Sequence, residues 1–221
     1  WLFVCASLHR HCSSFVGSLK ISDVMNYYLD TEFHEYFKQP RLLGFKVGKS
    51  IPTIDLISIG IVSDDGREYY AVSRDFDVKA AWSDAWLRDN VLCPIYDEFT
   101  GMGDAPFGLP YLMEVVEEFG KTRAQIAEGI VSFVGKDMKP NFHAYYGSYD
   151  WVVTCWIFGR MINLPERFPM LPTDLKQMMN ERGLTDDWKN LVCPQAAGKH
   201  NALEDAKWNK ELHEAILRTS K

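Results

Sequence analysis

Residues 27–33 read Tyr-Tyr-Leu-Asp-Thr-Glu-Phe, so two acidic side chains interrupt a run of β-forming residues. This composition predicts a strand with Asp30 and Glu32 at its end. Side chains two residues apart on a strand point to the same face, so the two carboxylates are expected side by side. Like charges on a half-buried strand are costly unless a cation neutralises them. The pattern therefore fits a cation site and, equally, a solvated strand end.

The segments that follow alternate between strand and helix patterns. Residues 54–62 (IDLISIGIV) are apolar and rich in β-branched side chains, which predicts a buried strand. The turn signal Asp64-Asp65-Gly66 connects it to a returning strand over residues 68–73. Residues 141–146 form the last predicted strand. Helices are predicted over residues 80–90, 123–135, 149–163, 174–182 and 203–217.

Local signals place the ends of these helices. Cys93-Pro94 is expected to end the first helix, and residues 100–110, rich in glycine and proline, form a loop. Thr122 and Gln125 predict a capping box for the second helix, and Gly183 suits the end of the fourth. Apolar faces are predicted at Ile126, Ile130, Phe133 and Val134, and at Ala206, Leu212, Ile216 and Leu217. The order of elements fits a single α/β domain with a mixed sheet flanked by helices.

Composition limits the class of protein. The chain has 221 residues, 47% apolar, with a net charge of −6, which predicts one folded domain and excludes a broadly basic surface. No apolar run is long enough to span a membrane. Five cysteines without a CxxC pair predict reduced thiols and a cytoplasmic location. Residues 1–24, which start at Trp1 and hold no acid before Asp23, are interpreted as a leader or non-native segment before a domain over residues 25–221.

Three more residues could act with the strand carboxylates. Asp150 lies at a predicted strand-to-helix junction after an aromatic run, where an aspartate often caps a helix. His200 and Asp205 are five residues apart, about 140° around one helix. They converge only if His200 lies in the loop before the helix and Asp205 in its first turns. From these signals alone, Asp150 could be a helix cap and His200 an ordinary surface or core histidine, or both could belong to a catalytic site.

The chain resembles the DEDDh branch of the DEDD 3′–5′ exonuclease superfamily through five residues in the family's order: Asp30, Glu32, Asp150, His200 and Asp205. Stretches at residues 28–33, 54–62, 66–73 and 147–150 are similar to small bacterial and phage exoribonucleases allied to ribonuclease T. The resemblance covers roughly residues 26–218 and implies a ribonuclease H-like fold.

The same resemblance implies a metal-dependent 3′–5′ exoribonuclease that releases nucleoside 5′-monophosphates from single-stranded RNA. It implies two Mg²⁺ or Mn²⁺ ions on Asp30, Glu32, Asp150 and Asp205, and hard divalent ions do prefer oxygen ligands. His200 is then the candidate general base, because imidazole titrates near neutral pH. Many relatives are dimers, so a homodimer is an expected partner.

Substrate contacts are expected near the strand carboxylates. Thr31, Phe33 and Tyr149 are the candidates for the terminal nucleotide, and Phe33 resembles a family aromatic that wedges the terminal base. Tyr145, Tyr146 and Trp151 could stack bases or belong to the core. Residues 37–50 carry four basic side chains and no acid, which predicts either a basic flap for RNA phosphates or a solvated loop. The four are Lys38, Arg41, Lys46 and Lys49.

Other functions remain open at this level. The same fold could act on DNA, since sequence alone does not reveal contacts to a 2′-hydroxyl. It could also hydrolyse short oligonucleotides. A nuclease-like module that only binds nucleic acid or protein is the alternative of another class. Such a module would be expected to have lost an acid or the histidine, and all five are present.

Overall fold

The structure is a computed structural model that describes residues 24–101, 107–136, 139–195 and 200–219. Its strands are β1 (Val24–Lys38), β2 (Arg41–Leu42), β3 (Phe45–Lys46), β4 (Ile51–Ser63), β5 (Glu68–Val72), β6 (Lys139–Ala144) and β7 (Thr173–Asp174). Five of them form a sheet in the order β5-β4-β1-β6-β7. β4 pairs antiparallel with β1 and β5, whereas β6 pairs parallel with β1 and β7. The predicted mixed sheet is confirmed.

Helices cover both faces of this sheet. They are α1 (Val78–Ser83), α2 (Ala85–Leu87), α3 (Cys93–Thr100), α4 (Leu109–Phe119), α5 (Arg123–Val134), α6 (Ser148–Ile157), α7 (Leu175–Glu181), α8 (Asp186–Val192) and α9 (Ala202–Arg218). Neighbouring residues of β1 show the two faces. The Tyr27 ring packs on Phe133 of α5, while the next ring, Tyr28, packs on His213 of α9. This arrangement confirms the predicted α/β class and is consistent with a ribonuclease H-like fold.

The first hairpin is much longer than predicted. β1 continues to Lys38 and pairs there with Ile51, so β1 and β4 extend beyond the rest of the sheet. The small β2–β3 hairpin closes the end. We call residues 37–51 the hairpin arm. Residues 37–50 therefore form a β-ribbon rather than an irregular loop, and several large apolar side chains on it are exposed: Phe37, Leu42, Leu43, Phe45 and Ile51.

The prediction of one continuous helix over residues 80–90 is wrong. The segment consists of α1 and α2, followed by a π-helical turn over Arg88–Leu92, and α3 continues past Cys93-Pro94 to Thr100. Proline ended the predicted helix because it lacks an N–H, yet here it stands at the start of α3, where that loss is tolerated. α4 begins at Leu109 inside the predicted loop, of which residues 102–106 lie outside the described part. α8 was not predicted either.

The remaining helices largely follow the prediction. Thr122 and Gln125 form the capping box of α5. α6 ends at Ile157, so the helix predicted to reach residue 163 is shorter, and a separate 3₁₀ turn covers Met161–Asn163. Gly183 follows α7 with a φ of +68°. On α9 the predicted inward residues Ala206, Leu212 and Ile216 are fully buried, but Leu217 is 55% exposed, which corrects that assignment.

Gly60 brings the sheet and α9 into close contact. It pairs with Asp30 across β1 and β4. A Cβ atom at this position would lie 2.2 Å from the carbonyl oxygen of Ala202, the first residue of α9. Glycine is therefore required here for space, because the backbone of the helix start occupies the volume of any side chain. The contact fixes how near α9 approaches Asp30.

Two expectations concern segments outside this core. Residues 1–23, most of the predicted leader, lie outside the described part, and β1 begins at Val24. Within the described residues, no helix combines the length and apolar character needed to cross a membrane. Cys155 and Cys193 are free thiols, while Cys5 and Cys12 are not among the described residues.

Candidate functional site

Residues of three predicted motifs meet in one open cavity of about 310 Å³. This volume falls at the lower end of the range for small-molecule sites. The cavity is lined by Asp30, Thr31, Glu32, Phe33, Tyr145, Tyr146, Tyr149, Asp150, Gln195, His200 and Asp205. The four acids and the histidine of the sequence pattern are thus brought together from β1, α6, the segment before α9 and α9 itself.

The two β1 acids lie in the middle of the strand, not at its end. Because β1 runs on to Lys38, the predicted solvated strand end is wrong. Asp30 is half-buried and Glu32 is only 8% exposed. The pairing with β4 shifts register between Glu32 and Phe33, which marks a bulge. Bulges re-aim side chains beside functional sites, and this one lies at the cavity.

Asp150 does not cap a helix. Gly147 is the N-cap of α6, and Asp150 stands in the first turn with its side chain directed to β1. Its Oδ1 accepts hydrogen bonds from the backbone N–H of Thr31 at 2.9 Å and from the Thr31 hydroxyl at 2.7 Å. Thr31, predicted as a substrate contact, lines the cavity and also holds this carboxylate in place. The helix-cap interpretation of Asp150 is therefore wrong.

His200 and Asp205 converge as the spacing allowed. Asn201 is the N-cap of α9, so His200 lies just before the helix and Asp205 in its first turns. The His200 Nδ1 is 4.0 Å from Glu32 Oε1, and its side chain is 43% exposed. Ligand atoms of Glu32, His200 and Asp205 lie within 4.8 Å of one another. The loop-then-helix arrangement brings both residues to the β1 carboxylates.

The electrostatics of the cavity favour neutralisation of its acids. Burial, reinforced by the charges of Asp150, Glu32 and Asp205, raises the pKa of Asp30 well above its ordinary value. Burial, with the charges of Asp205 and Asp150, raises the pKa of Glu32 to about 8. Burial raises the pKa of Asp150 to about 6, although the Thr31 hydrogen bonds oppose it. Burial also raises the pKa of Asp205, against a hydrogen bond from Gln195.

This donor set fits hard divalent cations. Four carboxylates share one cavity, and among the described residues no lysine or arginine forms an ion pair with any of them. Acids that repel one another at low dielectric are stabilised as anions when a cation replaces their protons. Mg²⁺ and Mn²⁺ prefer such oxygen ligands. The residues present are therefore suited to hold ions of this kind.

The raised carboxyl pKa values predict a pH-dependent stability when no cation is added. A carboxyl whose pKa is higher folded than unfolded stabilises the fold below its unfolded pKa, and this contribution is lost as pH rises through the folded pKa. For Glu32 that window runs from about 4.5 to about 8. In EDTA, we therefore expect the melting temperature to fall between pH 7 and 8.5. One proton corresponds to at most about 1.4 kcal/mol per pH unit.

Glu32→Gln provides the comparison for this experiment. The amide keeps the shape of the protonated acid, so the fall should be shallower in the variant. Burial lowers the pKa of His143 to about 3, and because both proteins contain this residue, its contribution to the slope cancels in the comparison. Calorimetric melts of both proteins at four pH values measure the difference. Identical slopes in the two proteins would contradict Glu32 as a group whose titration causes the fall in melting temperature.

The predicted aromatic contacts separate into three groups. Phe33 and Tyr149 stack at the cavity with centroids 5.8 Å apart and planes 13° apart. Tyr145 and Tyr146 also line the cavity, and Tyr145 packs edge-on against Trp208. Trp151 is a core residue whose indole N–H donates to the Met170 carbonyl, so it is not available to stack a base.

The three lysines of the hairpin arm are not among the residues that line the cavity. Lys38, Lys46 and Lys49 are exposed. From Asp30 to Lys38 the strand advances eight residues, roughly 26 Å at about 3.3 Å per residue. Measured along β1, Lys38 is therefore well separated from the cavity, and the predicted role of the arm in guiding RNA phosphates stays a prediction.

Sequence reasoning missed Gln195, which lines the cavity. Its Nε2 donates to Asp205 Oδ1 at 2.6 Å and so orients one of the predicted acids. Gln195 follows Pro194 in a segment without regular structure, and no spacing rule connects it with Asp205. Only the path of the chain in three dimensions brings the two together.

Comparison with known proteins agrees with this geometry. No family model matches the chain. Two curated proteins of Mycobacterium tuberculosis, from strains CDC 1551 and ATCC 25618, are each named 3′-5′ exoribonuclease and are 32% identical to it over 185 residues. The matched region covers 83% of this chain and 88% of each relative. With this identity over most of both lengths, the chain belongs to the family of these 3′-5′ exoribonucleases.

Proposed function

We propose that this chain is a metal-dependent 3′–5′ exoribonuclease of the DEDDh type, allied to ribonuclease T. The observation that carries the proposal is the convergence of four acids and His200 in one cavity. The family membership supports the reaction and its direction. The product would be a nucleoside 5′-monophosphate from the 3′ end of single-stranded RNA.

Asp30, Glu32, Asp150 and Asp205 would hold two Mg²⁺ or Mn²⁺ ions. Such ions, when bound, lower the pKa of a water molecule and offset charge on the leaving 3′ oxygen. The carboxylates are kept in position by their neighbours, because Thr31 fixes Asp150 and Gln195 fixes Asp205.

His200 is the proposed general base. Its imidazole is partly exposed at the edge of the carboxylate cluster, where an attacking water has access from solvent. A ring nitrogen accepts a proton of that water as its oxygen bonds to phosphorus and the P–O3′ bond breaks. The leaving 3′ oxygen takes up a proton from solvent, and the imidazolium returns its proton to solvent. The neighbouring carboxylates stabilise the imidazolium that forms. Positioning and charge neutralisation supply the rest of the acceleration.

Phe33 and Tyr149 are proposed to bind the terminal base. Their near-parallel rings form an aromatic wall of the cavity next to Glu32 and Asp150. A planar face accepts any base, which suits an enzyme that removes successive nucleotides. Thr31 lies between the two strand acids. Its proposed part in substrate binding is indirect, because its hydroxyl holds Asp150 in position.

A labelled-strand cleavage experiment tests the function. Single-stranded RNA and DNA of the same sequence, each labelled at the 5′ or the 3′ end, are incubated with Mg²⁺, Mn²⁺ or EDTA. We expect mononucleotide release from the 3′ end, with EDTA abolishing it and RNA the faster substrate. Preference for DNA or for di- and trinucleotides would redirect the substrate assignment. RNA binding without cleavage, by protein whose melting temperature rises with Mn²⁺, would contradict the assignment of nuclease activity.

The hairpin arm is proposed to bind upstream phosphates. Residues 37–50 hold four cations and no acid, in a chain of net charge −6. Exposed Phe37 and Phe45 on the same ribbon could stack bases. Replacing Lys38, Arg41, Lys46 and Lys49 by alanine should weaken RNA binding and reduce the slope of log K against log salt by up to about 3, at about 0.7 per contact.

A length series completes this test. Binding is measured by fluorescence anisotropy at several salt concentrations, using oligoribonucleotides of 3 and 20 nucleotides. Only the long strand should lose affinity in the quadruple variant, because a trinucleotide is too short to reach the arm. An unchanged salt slope with the long strand would contradict the proposal.

The homodimer suggested by the resemblance and a cytoplasmic location are also part of the proposed function. Sedimentation analysis tests the homodimer.

A further inference from the structure

His200, the proposed general base, contacts the helical segment over residues 85–92, which has no part in the proposed mechanism. Its backbone N–H donates to the carbonyl of Asn90 at 3.1 Å. Its ring lies against the indole of Trp86, with centroids 4.7 Å apart and planes at 59°. The two contacts hold the main chain and the side chain of His200 from the same side.

Pro94 leaves the Asn90 carbonyl without its usual α-helical donor. In an α-helix that carbonyl would accept from the residue four positions on, which is Pro94, and proline has no N–H. The chain passes this point through the π-helical turn Arg88–Leu92. Such turns occur frequently at functional sites. The amide of the Asn90 side chain also donates to the Trp86 carbonyl at 2.9 Å, which connects the two contacts.

Trp86 presents its ring to His200 from the surface of the molecule. Its side chain is 51% exposed, whereas the next residue, Leu87, is buried in the core. Aromatic side chains supply a large, rigid contact face with a defined geometry. In the described part of the chain, the ring contact of Trp86 is with His200. The Trp86 indole is therefore placed to orient the imidazole of His200.

We propose that Trp86, Asn90 and Pro94 are positioning residues for the general base. Trp86 fixes the orientation of the imidazole, and Asn90 anchors the backbone at His200. Pro94 acts indirectly, because it has no N–H to donate to the Asn90 carbonyl. The inference rests on the proposed function, because it assigns these residues to the step in which His200 accepts a proton.

Steady-state kinetics of Trp86 variants test the ring contact. A misplaced catalytic group costs up to about 100-fold in rate, so Trp86→Ala should lower kcat about 10- to 100-fold and leave KM within about 2-fold. Trp86→Phe should recover most of kcat. Trp156→Ala is the matched control, since Trp156 is 40% exposed but is not among the residues lining the cavity. Equal losses in Trp86→Ala and Trp156→Ala would overturn the proposal.

Pro94→Ala tests the backbone anchor in a variant that is expected to fold. Alanine restores an N–H that competes with His200 for the Asn90 carbonyl. We therefore expect kcat to fall while the melting temperature stays the same or rises. A variant with unchanged kcat would show that the missing N–H of Pro94 has no part in placing His200.

A double-mutant comparison separates this proposal from the proposed function. If Trp86 acts only through His200, adding Trp86→Ala to His200→Ala should cause no further loss of kcat. A further loss would overturn the positioning role. If His200→Ala alone retains full activity, the general base has been misassigned and the proposed mechanism fails instead.

A measurement without substrate checks the contact itself. Aromatic rings shift the resonances of nearby protons, so the imidazole protons of His200 should move in the NMR spectrum of Trp86→Ala. The melting-temperature increase caused by Mn²⁺ should stay unchanged, because the four carboxylates are intact. An unmoved His200 signal would contradict the contact. Loss of the Mn²⁺-induced increase would also contradict the proposal, because Trp86 would then position the carboxylates and not only the base.

Discussion

Replacing Asp30 by asparagine is expected to lower mononucleotide release at least about 1,000-fold. A bound metal ion contributes several kcal/mol of charge stabilisation, and each factor of ten in rate corresponds to about 1.4 kcal/mol. Asparagine has almost the same shape and keeps the packing around the cavity. The loss should therefore appear in kcat rather than in the folding of the protein.

The same variant should be more stable than the parent without metal. Asp30 repels Asp150, Glu32 and Asp205, and burial adds to the cost of its charge. Removing this charge relieves the repulsion, so the melting temperature in EDTA at pH 8 should rise. In Mn²⁺ the order should reverse, because the parent gains more from the ion.

Asp187→Asn is the control for both measurements. Asp187 is exposed in the first turn of α8, away from the cavity lining, so its removal should change neither rate nor metal response. Rates from the labelled RNA assay and melting temperatures with and without Mn²⁺ complete the comparison. An Asp30→Asn enzyme within 10-fold of the parent, or one destabilised in EDTA, would remove Asp30 from the proposed metal set.

His200→Ala should lower kcat by about 100- to 10,000-fold, the range for loss of a general base. The four carboxylates remain, so the increase of melting temperature with Mn²⁺ should be retained. Because Glu32, His200 and Asp205 also have a spacing that could hold an ion, this retention distinguishes a base from a ligand. A strongly reduced Mn²⁺ effect would make His200 a metal ligand.

Added imidazole provides a second discrimination for His200→Ala. The side chain is partly exposed, so a small base can diffuse into the space that it leaves. If His200 accepts a proton, imidazole should restore part of the activity in a concentration-dependent way. Restoration should be absent in Asp30→Asn, whose defect is of another kind. No response in His200→Ala would count against proton transfer at this position.

Local patterns predicted the parts of the fold that depend on neighbouring residues. The capping box of α5 could be read from Thr122 and Gln125 because both lie within one turn. Period-two alternation correctly placed Asp30 and Glu32 on one cavity. Asp150 was ambiguous, since an aspartate at a helix start is equally suited to cap it. Only the contact with Thr31 of β1, a partner 119 residues away in sequence, shows that its side chain faces β1 instead of capping the helix.

Other features depend on tertiary contacts that short-range rules do not contain. Pro94 is a correct signal of a helix boundary, but packing of Val91, Leu92 and Ile95 in the core keeps the segment helical around it. Trp86 and Gln195 carry no motif, and their relation to the site exists only in three dimensions. The sequence of the hairpin arm predicts a flap or a loop, because its glycines and proline conceal two short strands.

The contact between Gly60 and Ala202 has a consequence for how sequence variation in this protein should be interpreted. Position 60 holds no reactive group, yet any larger residue would displace the start of α9, and with it Asp205. In a library of all single substitutions selected for activity, position 60 would score as intolerant as the acids themselves. Maps of mutational tolerance would therefore count a purely steric position among the chemical ones, unless the melting temperature without metal is measured alongside survival.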